Sequence, residues 1–95
     1  MIIGVLRLTL LLHGVGSLKE KRGILKRLRD RVRHRFNVSW AEVDDQDEHG
    51  RATIGVVVVS SDVRYLDGQL NKVVEEVEAA YLAELVDRQM ELIHF

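Results

Sequence analysis

From Lys19 to Arg35 the chain sets nine lysines and arginines against two acids, Glu20 and Asp30. The arginine fork and the lysine ammonium are the side chains that hold phosphate oxygens, so the chemistry on offer is recognition of a polyanion. The other 78 residues carry five basic and thirteen acidic side chains, so the net charge of −1 hides a segment near +7 in a background near −8. At helical spacing Lys19, Arg22, Lys26, Arg29 and Arg33 form one stripe, with Lys21 near the helix start. Arg27, Arg31 and Arg35 form a row on the opposite flank. Like charges four residues apart cost a few tenths of a kcal/mol each. Asp30 reaches Lys26, Arg27, Arg33 or His34 and offsets about one of them, while Glu20 is engaged at the helix start. Compensation would have to come from Glu75, Glu76 and Glu78, or from the acids of Asp44–Glu48. The segment is thus either a phosphate-binding surface or a face neutralised by acids elsewhere in the chain. An anionic membrane is disfavoured, because the helix has no second apolar face to insert.

Other groupings carry less chemistry. Asp44, Asp45, Asp47, Glu48 and His49 are oxygen-rich, but their spacing matches no EF-hand and Asp is favoured in turns for backbone reasons. Gly14-Val15-Gly16-Ser17 precedes a helix without the glycine spacing of a dinucleotide or P-loop fingerprint. His13, His34, His49 and His94 show no paired ligand spacing. Ser17, Ser39, Ser60 and Ser61 have no neighbouring histidine and acid in a nucleophile arrangement. Cysteine is absent, which excludes disulfides and thiolate metal sites. The expectation is a non-enzymatic protein with no cofactor and no metal.

The elements that must position the basic segment are legible in the pattern. Ninety-five residues make a single domain, 1–95. Residues 2–12 read as a strand with Leu6, Leu8, Leu10 and Leu12 on one face and Arg7, Thr9 and His13 on the other. Ser17 and Glu20 form a capping box that starts a helix. Its apolar side holds Leu18, Leu25, Leu28 and Val32, with Ile24 and Phe36 at the margins. Phe36-Asn37 ends it, Asn tolerating a left-handed terminus. Residues 37–44 read as a second strand, with Trp40 at a sheet edge and packed in the core or against a partner. Asp44 to Gly50 is a turn, and 52–60 a third strand covered on both sides or nearly so. Asp62 caps a second helix with the seam Leu66, Leu70, Val73, Val77 and Tyr81. The tail from about Leu85 to Phe95 is a final strand. The order βαββαβ is the ferredoxin-like α+β sandwich, a four-stranded antiparallel sheet with two helices on one face. An acylphosphatase on this architecture would need an arginine in the first loop, and none is there. The open face offers no aromatic on the first or third strand, so stacking of RNA bases on the sheet is excluded. Any RNA contact falls to the first helix and its flanking loops.

Ser17-Leu18-Lys19-Glu20-Lys21-Arg22, Phe36-Asn37-Val38-Ser39 and Ala41-Glu42-Val43-Asp44 resemble the motifs of the YlxP-like family of small bacterial proteins, a family of unknown function. The resemblance runs over nearly the whole chain, while the part after Ser60 matches only in pattern. It implies a ferredoxin-like fold. Members are often encoded among translation and ribosome-maturation factors, which implies a role near ribosomal RNA or the small ribosomal subunit. No catalytic residues come with it. The chain departs from the pattern at Trp40, where a smaller aliphatic is usual.

The expectation is therefore an RNA- or ribosome-associated cytoplasmic protein with no membrane partner. Lys19, Lys21, Arg22, Lys26, Arg29 and Arg33 are its nucleic-acid-binding residues. The alternative is a dimeric small-molecule-sensing or protein-interaction module, a homodimer through an edge strand, with the basic helix only a solvated face.

Overall fold

The computed structural model describes all residues 1–95. The elements run β1 (Ile2–Leu11), α1 (Leu18–Arg35), β2 (Ser39–Asp44), β3 (Arg51–Ser60), α2 (Val63–Ala80) and β4 (Glu84–His94). The strands form one antiparallel sheet in the order β2-β3-β1-β4, which is the ferredoxin-like arrangement. Both helices lie on one face, as the alternation of β1 dictates: Leu6, Leu8, Leu10 and Leu12 are buried beneath them. No helix is long and apolar enough to cross a membrane.

Each helix starts where its cap directs. Ser17 is extended and its hydroxyl accepts the Glu20 N–H at 3.1 Å, while the Glu20 carboxylate accepts the Gly16 N–H at 3.2 Å. Asp62 accepts the Arg64 and Tyr65 N–H groups at 2.9 and 3.1 Å. Leu25, Leu28 and Val32 of α1 meet Leu66, Leu70, Val73, Val74 and Val77 of α2 in one core over the sheet. Gly4 lets α2 settle onto β1, since a Cβ there would come within 2.9 Å of a Leu70 methyl.

Four expectations need correction. The first helix does not end in a left-handed residue: Phe36 is extended at φ −130° and keeps a hydrogen bond from its N–H to the Val32 carbonyl. The strand that follows begins at Ser39, not 37. Tyr81 does not continue the α2 seam; it is the left-handed terminus, at φ 52°, and is 91 % exposed. Val74, beside Val73 and outside the expected seam, is buried as well. Finally β3 is not covered on both sides. Ala52, Ile54, Val56 and Val58 face the helices, whereas Val57 and Val59 emerge on the bare face. There Val59 and Ile93 flank Ile3 in register across three strands.

Candidate nucleic-acid interface

The helix α1 carries its cations on two flanks of a single seam, and the fold gives the flanks different neighbours. The flank turned toward α2 is neutralised at Arg31 and Arg35, while Arg27 of the same row is exposed and unpaired. Glu76 of α2 is buried, and its carboxylate accepts hydrogen bonds from Arg31 Nε at 2.7 Å and from an Arg35 terminal nitrogen at 2.5 Å. The hydrogen bond from Arg31, aided by the charge of Arg35, holds the Glu76 pKa below the usual carboxylate value against the opposing effect of burial. Arg31 and Arg35 are thereby committed to the helix–helix contact.

The flank turned toward β2 is not. Lys19, Arg22, Lys26 and Arg33 are exposed and make no ion pair. Arg29 pairs only with its neighbour Asp30, at 3.2 Å, and both remain substantially exposed. Asp30 thus reaches the adjacent arginine instead of Lys26, Arg27, Arg33 or His34. An ion pair of this kind is worth about 0–1 kcal/mol and is readily exchanged for another anion.

Lys21 stands apart from this set and is corrected. It is 1 % exposed. Its Nζ donates to the Asp45 and Glu48 carbonyls at 2.6 and 2.5 Å and lies 2.7 Å from the Glu42 carboxylate. Lys21 therefore pins the β2–β3 turn to α1 and cannot reach a phosphate. The spacing held the signal: Leu18, Lys21, Leu25, Leu28 and Val32 follow steps of three and four, so position 21 is a seam position. Glu42, alternating with Trp40 on the inward side of β2, is the matching partner that sequence reasoning passed over.

Two acids of the turn, Asp44 and Asp45, are spent on structure. Asp44 accepts the Asp45 N–H at 2.8 Å and lies 3.7 Å from Arg7. Asp45, left-handed at φ 62°, accepts from the Thr53 hydroxyl at 2.6 Å and from Arg51 at 3.3 Å. The Thr53 hydrogen bond, with Arg51, lowers the Asp45 pKa. His49 lies 3.0 Å from the Val15 carbonyl, and His13 pairs with Glu84 at 2.6 Å. At the α1 N-terminus the Gly16 N–H is already filled by Glu20 and the Glu20 N–H by Ser17.

Beside the unpaired stripe runs a groove of about 350 Å³ between α1 and β2, with Arg22, Lys26 and Arg29 along one wall and Trp40 on the other. Trp40 lies on the edge strand, half-buried against the core. Arg33 opens on a second hollow of about 330 Å³ at Asn37–Ser39 and β3. The surface is thus a cationic rim over a partly apolar trough.

Comparison with known proteins bears on the family and the fold. Residues 3–90 match the model of the family described as "Protein of unknown function (DUF503)". The "Uncharacterized protein YlxP" of Bacillus subtilis (strain 168) is 36 % identical over 77 residues, covering 81 % of this chain and 84 % of that one. Among solved structures, the protein YJCS aligns with a TM-score of 0.56 at 9 % identity, covering 97 % of this chain and 99 % of its own. The designed protein Foldit4 gives 0.55 at 12 % identity over 99 % and 97 % of the two chains. A mutant of SnoaB, a cofactor-independent oxygenase from Streptomyces nogalater, gives 0.51 at 11 % identity over 99 % and 92 %. At such identities these three show a shared fold alone. The family match and the Bacillus subtilis relative go further: the chain belongs to the DUF503 family, whose function is unknown.

Proposed function

We propose that this chain is a non-enzymatic RNA-binding protein that engages phosphates through the β2-facing flank of α1 and acts at ribosomal RNA, with the small subunit as its natural partner. One observation carries the reading. The chain uses its acids to neutralise Arg31, Arg35 and Lys21, yet leaves Lys19, Arg22, Lys26 and Arg33, like Arg27 on the other flank, without a carboxylate and Arg29 with only Asp30. A face that only needed solvation would gain from the same pairing, because adjacent like charges on a helix repel. Contacts made this way read backbone and shape over sequence.

Five phosphate contacts to a single strand give a log–log salt slope of about −3.5, so affinity falls roughly a hundredfold between ~50 and ~200 mM salt. The test is co-sedimentation with small ribosomal subunits over graded salt. Arg29→Glu with Arg33→Glu should cut binding at least about tenfold and flatten the slope to about −2. The charge-matched pair Lys72→Glu with Arg88→Glu should bind as wild type. Equal binding by all three proteins would defeat the reading. Sedimentation equilibrium of the free protein reports oligomeric state, and a dimer indifferent to RNA at every salt would favour a module joined through its sheet.

A further inference from the structure

We propose that the groove between α1 and β2 is a stacking site for one unpaired base of a single-stranded RNA, with Trp40 as its platform and Arg22, Lys26 and Arg29 holding the flanking phosphates. The proposal rests on the reading above and specifies the form of RNA the face accepts. Trp40 is the only tryptophan of the chain. It pairs with the buried Val56 across the β2–β3 ladder, so one side of the ring system is fixed by the core. The rest of it stays accessible and faces the trough, whose floor is completed by Leu25 and Ile54. A trough of about 350 Å³ is at the small end of ligand sites, which run from roughly 300 to 1,000 Å³.

The combination of a fixed aromatic and a cationic wall is what single-strand binding requires. Every base has a π face, so an aromatic platform accepts any of them, while arginine and lysine track the backbone. Elsewhere in such folds the platform stands on the open sheet face, but here that face carries Ile3, Val5, Val57 and Val59 and no aromatic. The tryptophan instead lies on the helix side of the edge strand, beside Arg22 and Lys26, which make no ion pair. Arg22, Lys26 and Arg29 stand one turn apart along α1, about 5–6 Å, and so line the groove along its length. The trough's single carboxylate, Glu42, is held by Lys21 and does not repel the ligand as a free anion would. An acidic peptide added to the free edge of β2 would meet the same cations, but it would gain nothing specific from the ring.

Because Trp40 is alone, tryptophan fluorescence reports this groove and nothing else. The experiment titrates the intact protein with an oligouridylate and with an abasic oligomer of equal length, reading fluorescence together with the anisotropy of labelled oligomer. The expected result is saturable quenching by oligouridylate that follows the anisotropy. Trp40→Leu should bind it about tenfold more weakly, with an unchanged salt slope, and Trp40→Phe should restore most of the loss. The abasic oligomer should bind wild type and Trp40→Leu equally. Binding without quenching, together with wild-type affinity in Trp40→Leu, overturns the stacking site and leaves phosphate recognition standing. No binding of either oligomer at low salt overturns both. Quenching by polyglutamate with no response to RNA assigns the groove to an acidic peptide and also overturns the proposal. The quenching arm needs no variant, so a folding defect at position 40 does not blunt the test.

Discussion

At the scale of single residues, the chain separates two kinds of lysine that composition cannot tell apart. Lys19 and Lys21 lie two positions from each other in a run of charge, yet one is solvated and the other is sealed beneath the β2–β3 turn. Burying an ammonium is costly unless every donor is satisfied, and Lys21 meets that condition with two carbonyls and a carboxylate. The carboxylate depends on it in return, since the buried Glu42 Oε2 has no hydrogen-bond partner beyond this ion-pair contact. Lys21→Met should therefore cost about 3 kcal/mol, the scale on which breaking one side of a buried pair is felt. Lys19→Met should stay within about 0.5 kcal/mol, as for other surface changes. Urea unfolding of the two variants checks the contrast, and adding Glu42→Gln to Lys21→Met should recover part of the loss. Equal stabilities for the two single variants would mean that the turn is held by something other than Lys21. The stripe is legible at this scale from helical spacing alone, whereas Lys21 belongs to the seam by position and to the charge run only by type.

Between elements, the governing contact is the one that spends acid on α1 from α2. Sequence reasoning placed Glu75, Glu76 and Glu78 beside α1, but the wheel could not say which flank they would face. That choice is set by packing: Val73, Val74 and Val77 lock the rotation of α2, and Glu76 is thereby carried to Arg31 and Arg35. The β1 core face and most of the α2 seam were legible because alternation and helical periodicity report them directly. Tyr81 was not, because nothing in a local pattern distinguishes the last seam residue from a left-handed terminus. Nor was the bare side of β3, since an unbroken valine run hides which residues face helices. The Glu76 clamp has a pH signature. Its folded pKa lies below the ordinary value of 4.5, so the stability it contributes is complete above about pH 4.5 and drains away as pH falls through the lower folded value. Glu76→Gln should lose about 2 kcal/mol near neutrality, the scale of a hydrogen bond to a charged group, and should be less sensitive to acid than wild type. Thermal unfolding from pH 7 to pH 3 checks both, and parallel curves for the two proteins would show that Glu76 is not the linked group.

Over the whole molecule the question is whether a chain with net charge −1 can attract a polyanion at all. The fold answers it by distance. The stripe lies on the β2 side, while Glu84, Asp87 and Glu91 lie on β4 at the opposite sheet edge. Three strand spacings of about 4.8 Å separate those edges, roughly 14 Å. At physiological ionic strength the screening length is about 8 Å, so the far acids are largely invisible to an anion held at the stripe. At ~0.01 M salt the screening length grows to about 30 Å, comparable with the 42 × 21 × 18 Å body, and the acids then repel the approaching strand. Replacing Asp87 by Asn and Glu91 by Gln should leave affinity for a single-stranded RNA within about twofold at ~0.15 M salt. Near ~0.01 M the same variant should bind several-fold more tightly than wild type, mainly through faster association, as long-range steering predicts. Fluorescence anisotropy and stopped-flow mixing at the two salt concentrations separate the cases. A variant that gained equally at both would place β4 within contact distance of the RNA, and the binding face would then have to wrap the sheet edge instead of ending at α1 and β2.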